Sequence, residues 1–263
     1  MSGLEDVPAH QVDGPAAAPM LLLGPSLGTT ADMWHRQMPA LRARFRVVRY
    51  EHPGHGGAPT TAVGGIADLG RSVLALMDHL ETERASLAGL SLGGMVSMWV
   101  AAHAPERVDQ LVLCCTSPHL PPSETWAQRA ALVRAQGTDP LLPLLGGRWF
   151  AAGAQADPAL LELTARMLGS VDPEGYARCC EAIAAMDLRN ELARITAPTL
   201  VIGGALDPVC PPPMVLDLQA AIPGAGLTLV PDASHLANLD QPERFTTAMV
   251  EHLAGGPTSR SKI

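Results

Sequence analysis

Residues 85–100 read ASLAGLSLGGMVSMWV, and this stretch determines the class of fold. The apolar run from Ala85 to Leu90 predicts a buried strand, and the segment from Gly93 to His103 reads as a helix. Between them, Ser91 stands in the sequence Gly89-Leu90-Ser91-Leu92-Gly93. A serine on such a strand-to-helix turn is held in a strained conformation that only very small flanking residues accommodate. A glycine-rich turn with no catalytic purpose would share the pattern, but the placement between strand and helix favours a nucleophilic serine.

Similar apolar runs alternate with helical patterns along much of the chain. The runs that predict strands are Met20–Leu23, Phe45–Tyr50, Ala85–Leu90, Leu111–Cys115, Thr199–Ile202 and Leu227–Val230. Helical spacing occurs from Ile66 to Leu80 and again from Pro242 to Leu253. This alternation is typical of an α/β protein with a mostly parallel central sheet flanked by helices.

The region from Pro118 to Ile195 departs from this alternation. The strand pattern stops there, and helical stretches are separated by breaks that contain Pro and Gly. Examples of these helical stretches are Glu124 to Gln136, Ala159 to Leu168 and Tyr176 to Met186. We therefore expect an α/β core formed by residues 1–117 and 196–263, with residues 118–195 as a helical lid.

Composition narrows the range of functions. The 263-residue chain has a net charge of -8 and shows no cluster of Lys and Arg, so we expect no nucleic-acid partner. No apolar stretch reaches the roughly 18 residues that a membrane span needs, and residues 1–18 lack the segments of a signal peptide. These features predict a cytoplasmic protein with no membrane partner. The five cysteines lack zinc-site spacing, so we expect reduced, mostly buried thiols.

A serine hydroxyl is a weak nucleophile at neutral pH, so it needs a base to accept its proton and an acid to orient that base. With a serine on this kind of turn, the acid and then the histidine follow along the chain. Asp207 comes just after the predicted strand Thr199–Ile202, and His235 comes just after Leu227–Val230. Ser91, Asp207 and His235 are therefore the candidate catalytic triad.

Other residues compete for two of these roles. Asp232 and Asp240 are alternative acids, but both lie in the loop of the histidine rather than after the preceding strand. His252 also follows Asp207 in the chain, and it lies in the predicted terminal helix. Chain order therefore favours Asp207 as the acid and His235 as the base.

Attack on a carbonyl also needs two N–H donors for the oxyanion. The residue after the nucleophile usually supplies one, and the loop after an early strand supplies the other, which predicts the backbone N–H groups of Leu92 and Leu27. The loop around Leu27, GPSLGTT at residues 24–30, lacks the Lys of a P-loop and the spacing of a dinucleotide fingerprint. We therefore expect no nucleotide and no other cofactor.

His52 and His55 raise the question of a metal site. A Pro-Gly turn separates the two histidines, and no third ligand stands in local spacing. We interpret them as structural loop histidines and expect no bound metal.

Several segments together resemble one family. They are Ser26-Leu27-Gly28-Thr29, Met33-Trp34, Arg49-Tyr50, Gly54-His55-Gly56, Gly89 to Met95, Ala101 to Val108, Gly175-Tyr176-Ala177, Cys179-Cys180, Ala182-Ile183 and Met186 to Arg189. These segments resemble the α/β-hydrolases, and within them the 3-oxoadipate enol-lactonases of the protocatechuate branch of the β-ketoadipate pathway. The resemblance implies the α/β-hydrolase fold and hydrolysis of a lactone or ester through an acyl-enzyme. The implied reaction converts 3-oxoadipate enol-lactone to 3-oxoadipate in aromatic catabolism.

The chain departs from the pattern of these relatives at several places, among them Pro25, where these lactonases often have Asn or His. Relatives carry Asp, any residue and Arg before Gly-His-Gly, whereas this chain has Glu51-His52-Pro53, so an acid–arginine contact cannot form there. The first β-hairpin of the fold is also expected to be short, since little strand pattern precedes Ala18.

The substrate that the resemblance implies is a small anionic molecule, so we expect a cation near the pocket. The insertion offers Arg129 and Arg148, which lie near Trp126 and Trp149 in the sequence. A guanidinium can bind a carboxylate through two hydrogen bonds, although solvated arginines on helix surfaces are common. These four residues are the candidate substrate-binding set.

Other functions stay open at this point. A general carboxylesterase, a lactonase of secondary metabolism and a cofactor-free haloperoxidase-like hydrolase would share the triad. A hydrolase-fold binding protein with no activity is a further alternative, although all three triad positions are filled. A homo-oligomer is likewise left open.

Overall fold

The protein, seen in a computed structural model that describes residues 7–154 and 157–255, is built on one seven-stranded sheet. Its strands are β1 (His10–Asp13), β2 (Met20–Gly24), β3 (Arg46–Tyr50), β4 (Ala85–Leu90), β5 (Val108–Cys114), β6 (Thr199–Gly204) and β7 (Gly226–Val230). Their order across the sheet is β1-β3-β2-β4-β5-β6-β7. β1 pairs antiparallel with β3, and the remaining pairings are parallel. The expected mostly parallel sheet is therefore confirmed.

Helices flank this sheet and form an insertion. They are α1 (Met38–Leu41), α2 (Ile66–His79), α3 (Leu92–His103), α4 (Ser123–Gln136), α5 (Leu142–Trp149), α6 (Pro158–Gly169), α7 (Pro173–Ala185), α8 (Pro212–Ala221), α9 (Ala237–Asp240) and α10 (Pro242–Ala254). α4 to α7 lie between β5 and β6, so the expected helical insertion is confirmed. The lid limits of 118–195 stay a prediction, and the ends of the expected core, 1–6 and 256–263, lie outside the described residues. Within the described ranges, every helix is too short or too polar to cross a membrane.

Among the elements that the sequence analysis did not predict, β1 and α8 have clear physical reasons. β1 is only partly buried, and its one β-branched residue, Val12, is exposed, so the segment shows no alternation. Its strand conformation comes from pairing with β3. α8 begins within the run Pro211 to Pro213, which reads as a loop, although proline is well tolerated in the first turn of a helix.

The turn between β4 and α3 depends on glycine. Ser91 has φ 54° and ψ -113°, a backbone conformation that non-glycine residues rarely adopt. A Cβ on Gly89 would lie 2.1 Å from the carbonyl oxygen of Gly93, and a Cβ on Gly93 would lie 2.2 Å from that of Gly24. The N–H of Gly93 donates to the carbonyl of Pro25 at 3.0 Å. The turn therefore packs directly on the end of β2, which puts Ser91 beside the loop that follows β2.

We expect Gly89→Ala to lower the free energy of unfolding by about 3 kcal/mol or to prevent folding, because the added methyl group must displace backbone atoms. Gly169→Ala is the matched control, since its added Cβ would meet no atom within 4 Å apart from its own stretch of helix. Its effect should stay within about 1 kcal/mol. Urea unfolding measures both changes, and equal stability of the two variants would contradict the packing described for the turn.

Candidate active site

The candidate triad residues follow three parallel strands: Ser91 follows β4, Asp207 follows β6 and His235 follows β7. The carboxyl ends of parallel strands lie at one edge of a sheet, where α/β proteins bind their ligands. Nδ1 of His235 lies 2.8 Å from Oδ2 of Asp207, and both side chains are buried. Because a carboxylate only accepts, Nδ1 donates and Nε2 is left as the basic nitrogen of the ring.

The carboxylate of Asp207 is also held from its other side. Its Oδ1 accepts the N–H groups of Val209 at 2.7 Å and Cys210 at 3.0 Å. The candidate ligand atoms of Asp207, Cys210 and His235 lie within 4.8 Å of one another, which raises the question of a metal ion. Burial raises the pKa of the Cys210 thiol, whereas a metal binds the thiolate. The carboxylate and the imidazole are already hydrogen-bonded to each other, so the cluster fits an oriented acid–base pair better than a metal site.

The competing acids make other contacts. Oδ2 of Asp240 accepts the N–H of Ser234 at 2.6 Å and that of Ala151 at 3.0 Å, so this carboxylate ties the histidine loop to the insertion. Asp232 lies in the turn after β7 with φ 55°. The carboxylate that the structure brings to the histidine ring is that of Asp207.

A cavity of about 310 Å³ is lined by Ser91 and His235 together with Leu27. Residues of the insertion form much of its wall. The aromatic and cationic ones among them are Trp126, Arg129, Arg148, Trp149 and Tyr176. The structure therefore gathers every candidate substrate-binding residue around the candidate nucleophile. Tyr176 was missed as a lining residue, because a tyrosine on an amphipathic helix carries no signal that separates a cavity wall from a core position.

Two backbone N–H groups are available as oxyanion donors. Leu92 is the first residue of α3, and the first N–H groups of a helix have no partner inside it. The N–H groups of Ser26 and Gly28 are hydrogen-bonded to side chains. The N–H of Leu27 between them has no hydrogen-bond acceptor in the described part of the chain. Within residues 7–154 and 157–255, both N–H groups expected from the sequence are therefore left without a protein acceptor.

The two candidate cations are held differently. The guanidinium of Arg129 lies over the ring of Trp126, 4.9 Å from the ring centre. Arg148 is exposed, and its backbone carbonyl accepts the hydroxyl of Ser234 at 2.8 Å. Arg129 is therefore the more firmly oriented of the two cations at the cavity.

Comparison with known proteins agrees with this architecture. The profile of the Alpha/beta hydrolase family matches residues 20–248. The chain therefore belongs to the α/β-hydrolases, and the fold expected from the resemblance is confirmed.

Three relatives are similar over nearly the whole chain. The 3-oxoadipate enol-lactonase 2 of Acinetobacter baylyi is 39% identical over 90% of this chain and 89% of its own length. The crystal structure of the enol-lactonase from Burkholderia xenovorans superposes with a TM-score of 0.91 at 37% identity, covering 94% of this chain and 96% of that one. A thermophilic esterase from Thermogutta terrifontis gives a TM-score of 0.88 at 28% identity, covering 94% and 92%.

Glu51 lies in the loop after β3, and its surface is only 8% exposed. Oε1 of Glu51 accepts the N–H of Ala31 at 2.9 Å. Oε2 is buried and has no hydrogen-bond partner within residues 7–154 and 157–255. Burial raises the pKa of Glu51 to about 7, so this carboxyl gives up its proton only near neutral pH.

The raised pKa of Glu51 predicts a pH-dependent stability. The folded protein holds this proton more tightly than the unfolded chain does, so the stabilising contribution is complete below the ordinary pKa of 4.5 and is lost as the pH rises through about 7. Glu51→Gln cannot ionise and keeps an oxygen for Ala31. The free energy of unfolding of the variant minus that of the wild type should increase by about 1–3 kcal/mol from pH 5 to pH 8.

Urea unfolding of the wild type and the variant at both pH values measures this change. Glu83→Gln, on the exposed surface, is the control, and its difference from the wild type should not vary with pH. A pH-independent difference for Glu51→Gln would contradict the burial of an ionisable carboxyl at this position.

Proposed function

We propose that the chain hydrolyses a small lactone or carboxylic ester by forming an acyl-enzyme on Ser91. The observation that carries this proposal is the 2.8 Å hydrogen bond between Asp207 and His235, beside a cavity that Ser91 also lines. The hydrogen bond fixes the tautomer of the histidine that a serine nucleophile needs. The family membership of the chain supports the same reaction class.

The proposed mechanism begins with attack of the Ser91 hydroxyl on the substrate carbonyl. His235 takes the hydroxyl proton on Nε2, and Asp207 stabilises the imidazolium that forms. The N–H groups of Leu27 and Leu92 bind the oxyanion of the tetrahedral intermediate. The intermediate collapses to the acyl-enzyme, and the imidazolium is then available to protonate the departing oxygen. His235 next takes a proton from a water molecule as its oxygen attacks the acyl carbonyl. The second tetrahedral intermediate then breaks its bond to Oγ of Ser91, His235 returns the proton to Oγ, and the acid is released.

The substrate that we favour is 3-oxoadipate enol-lactone, hydrolysed to 3-oxoadipate in the catabolism of protocatechuate. Enol-lactonases are similar to this chain over nearly its whole length, which supports a shared substrate class. Opening an enol lactone releases an enolate, which is a better leaving group than an alkoxide, and its conversion to the ketone favours the products. The remaining carboxylate of the substrate would bind the guanidinium of Arg129.

In this proposal, residues 118–195 act as the lid that selects the substrate. The core supplies the reacting groups, while the insertion supplies the aromatic and cationic wall of the cavity. A cytoplasmic location remains part of the proposal, because the favoured substrate is an intermediate of intracellular catabolism.

A general carboxylesterase is the second candidate function, since a thermophilic esterase superposes closely on this chain. A spectrophotometric assay with 3-oxoadipate enol-lactone and with p-nitrophenyl acetate separates the two functions. We expect kcat/KM to be at least about a hundredfold higher for the lactone, because each oriented contact to the carboxylate adds selectivity. A preference for the simple ester would overturn the lactonase assignment and leave hydrolysis through Ser91 standing.

Substitutions in the triad test the mechanism. Ser91→Ala should lower kcat by roughly 10⁴-fold or more, since the nucleophile is lost, and Asp207→Asn should lower it by about 10²–10⁴-fold, since the histidine tautomer is no longer fixed. Asp232→Asn removes a competing acid and is the matched control, which should keep kcat within about twofold. Wild-type activity in Asp207→Asn with a loss in Asp232→Asn would reverse the assignment of the acid.

The charge of the substrate is tested by arginine substitutions. We expect Arg129→Met to raise KM for the anionic lactone about tenfold and to leave KM for a neutral lactone nearly unchanged, because a charged hydrogen bond is lost only with the anion. Arg148→Met tests the alternative cation, and Arg166→Met, exposed on α6, is the control. If neither cavity variant changes KM in a charge-dependent way, the carboxylate does not bind these arginines.

A further inference from the structure

The loop that carries Leu27 is held by side chains of residues 51–55. Nε2 of His52 lies 2.9 Å from the carbonyl oxygen of Pro25, two residues before Leu27. Nε2 of His55 lies 3.2 Å from the backbone nitrogen of Gly28, directly after Leu27. The two histidines therefore fix the backbone on both sides of the free N–H of Leu27.

The partners of the two rings determine their tautomers. Nδ1 of His55 lies 3.0 Å from the carbonyl oxygen of Pro53, which can only accept, so Nδ1 donates. Nε2 of His55 must then accept the N–H of Gly28, which makes this ring the neutral Nδ1–H form. His52 faces a carbonyl oxygen with Nε2 and therefore has the opposite tautomer, with Nε2 as donor.

Both rings are neutral for a physical reason. They are buried, and burial lowers the pKa of His52 to about 3 and that of His55 to about 4. A protonated His55 would turn an N–H toward the N–H of Gly28. The acceptor role of His55 is therefore available throughout the neutral pH range.

The ring of His55 is also fixed by its neighbours. Its centre lies 5.9 Å from that of His52, nearly at right angles, and 6.4 Å from that of Tyr176, nearly parallel. Tyr176 belongs to α7 and lines the cavity. The carbonyl of Gly54 accepts the N–H of Asp172 at 2.7 Å, which joins the same loop to the start of α7. The acceptor nitrogen is thus held between the core and the insertion.

We propose that His55 is a positioning residue for the oxyanion site. By accepting the N–H of Gly28, it holds the N–H of Leu27 where the developing oxyanion forms. His52 fixes the other side of the loop through its hydrogen bond to the carbonyl of Pro25. The inference rests on the proposed function, since it assumes a tetrahedral intermediate on Ser91. Oxyanion donors act only when their geometry is set before the reaction, so a small displacement of this loop lowers kcat more than it raises KM.

Two variants distinguish the effect of the hydrogen bond that Nε2 of His55 accepts from the effect of the packing of its ring. His55→Phe keeps a ring to stack on Tyr176 but leaves the Gly28 N–H without an acceptor. His55→Gln loses the ring but places an amide oxygen near the position of Nε2. We expect the Phe variant to lose roughly tenfold to hundredfold in kcat on p-nitrophenyl acetate with KM within about twofold, and the Gln variant to recover kcat to within about threefold of the wild type.

Inhibition by phenylboronic acid gives a second readout, because its tetrahedral adduct with serine mimics the intermediate. The inhibition constant should rise in His55→Phe by about the same factor as kcat falls. Thr164→Val removes a buried hydroxyl that donates to the carbonyl of Leu160 at 2.8 Å, away from the cavity. This variant is the control for a general loss of stability, and it should leave both kcat and the inhibition constant unchanged.

The outcomes distinguish this inference from the function on which it rests. Equal losses in the Phe and Gln variants would assign the effect to packing and overturn the inference, and so would wild-type kcat in His55→Phe. Turnover by Ser91→Ala close to that of the wild type would instead defeat the proposed function. If the Phe variant does not fold, ¹⁵N NMR of the wild type still decides: we expect His55 in the Nδ1–H form and His52 in the Nε2–H form at pH 7, and a protonated Nε2 on His55 would overturn the inference.

Discussion

The hydrogen bond from the N–H of Gly93 to the carbonyl of Pro25, 3.0 Å long, joins the two segments on which the site depends. One segment is the turn that carries Ser91, and the other is the loop that carries Leu27. A side chain on Gly93 would force them apart, because its Cβ would meet the carbonyl oxygen of Gly24 at 2.2 Å. Backbone contact between these segments is therefore the steric condition under which a serine hydroxyl and a free N–H donor can share one cavity.

Burial determines the properties of the candidate acid–base pair that lies near this contact. Asp207 and His235 meet in a nearly closed environment, where their hydrogen bond fixes which nitrogen of the ring is basic. The insertion completes the cavity and is attached to the histidine loop, since the N–H of Leu236 donates to the carbonyl of Trp149 at 2.8 Å. The core thus provides the candidate catalytic groups, and the insertion provides much of the cavity wall.

Much of this arrangement could be predicted from sequence because it follows local patterns. The strand–turn–helix around Ser91 has a glycine requirement that shows directly in the chain, and the strands before Asp207 and His235 are apolar enough to recognise. Partly exposed β1 and proline-led α8 could not be predicted, since tertiary pairing and packing, rather than local propensity, determine them. The contacts of His52 and His55 with the loop around Leu27 were equally hidden, because they join residues of different loops and leave no spacing signal.

The most direct measurement of the central claim is the structure of the protein after reaction with a fluorophosphonate. The account predicts a phosphorus atom bonded to Oγ of Ser91, with Nε2 of His235 beside Oγ. It also predicts a phosphonyl oxygen at about 2.7–3.1 Å from the N–H groups of Leu27 and Leu92. Reaction at another residue, or an adduct on Ser91 whose phosphonyl oxygen contacts neither N–H group, would contradict it.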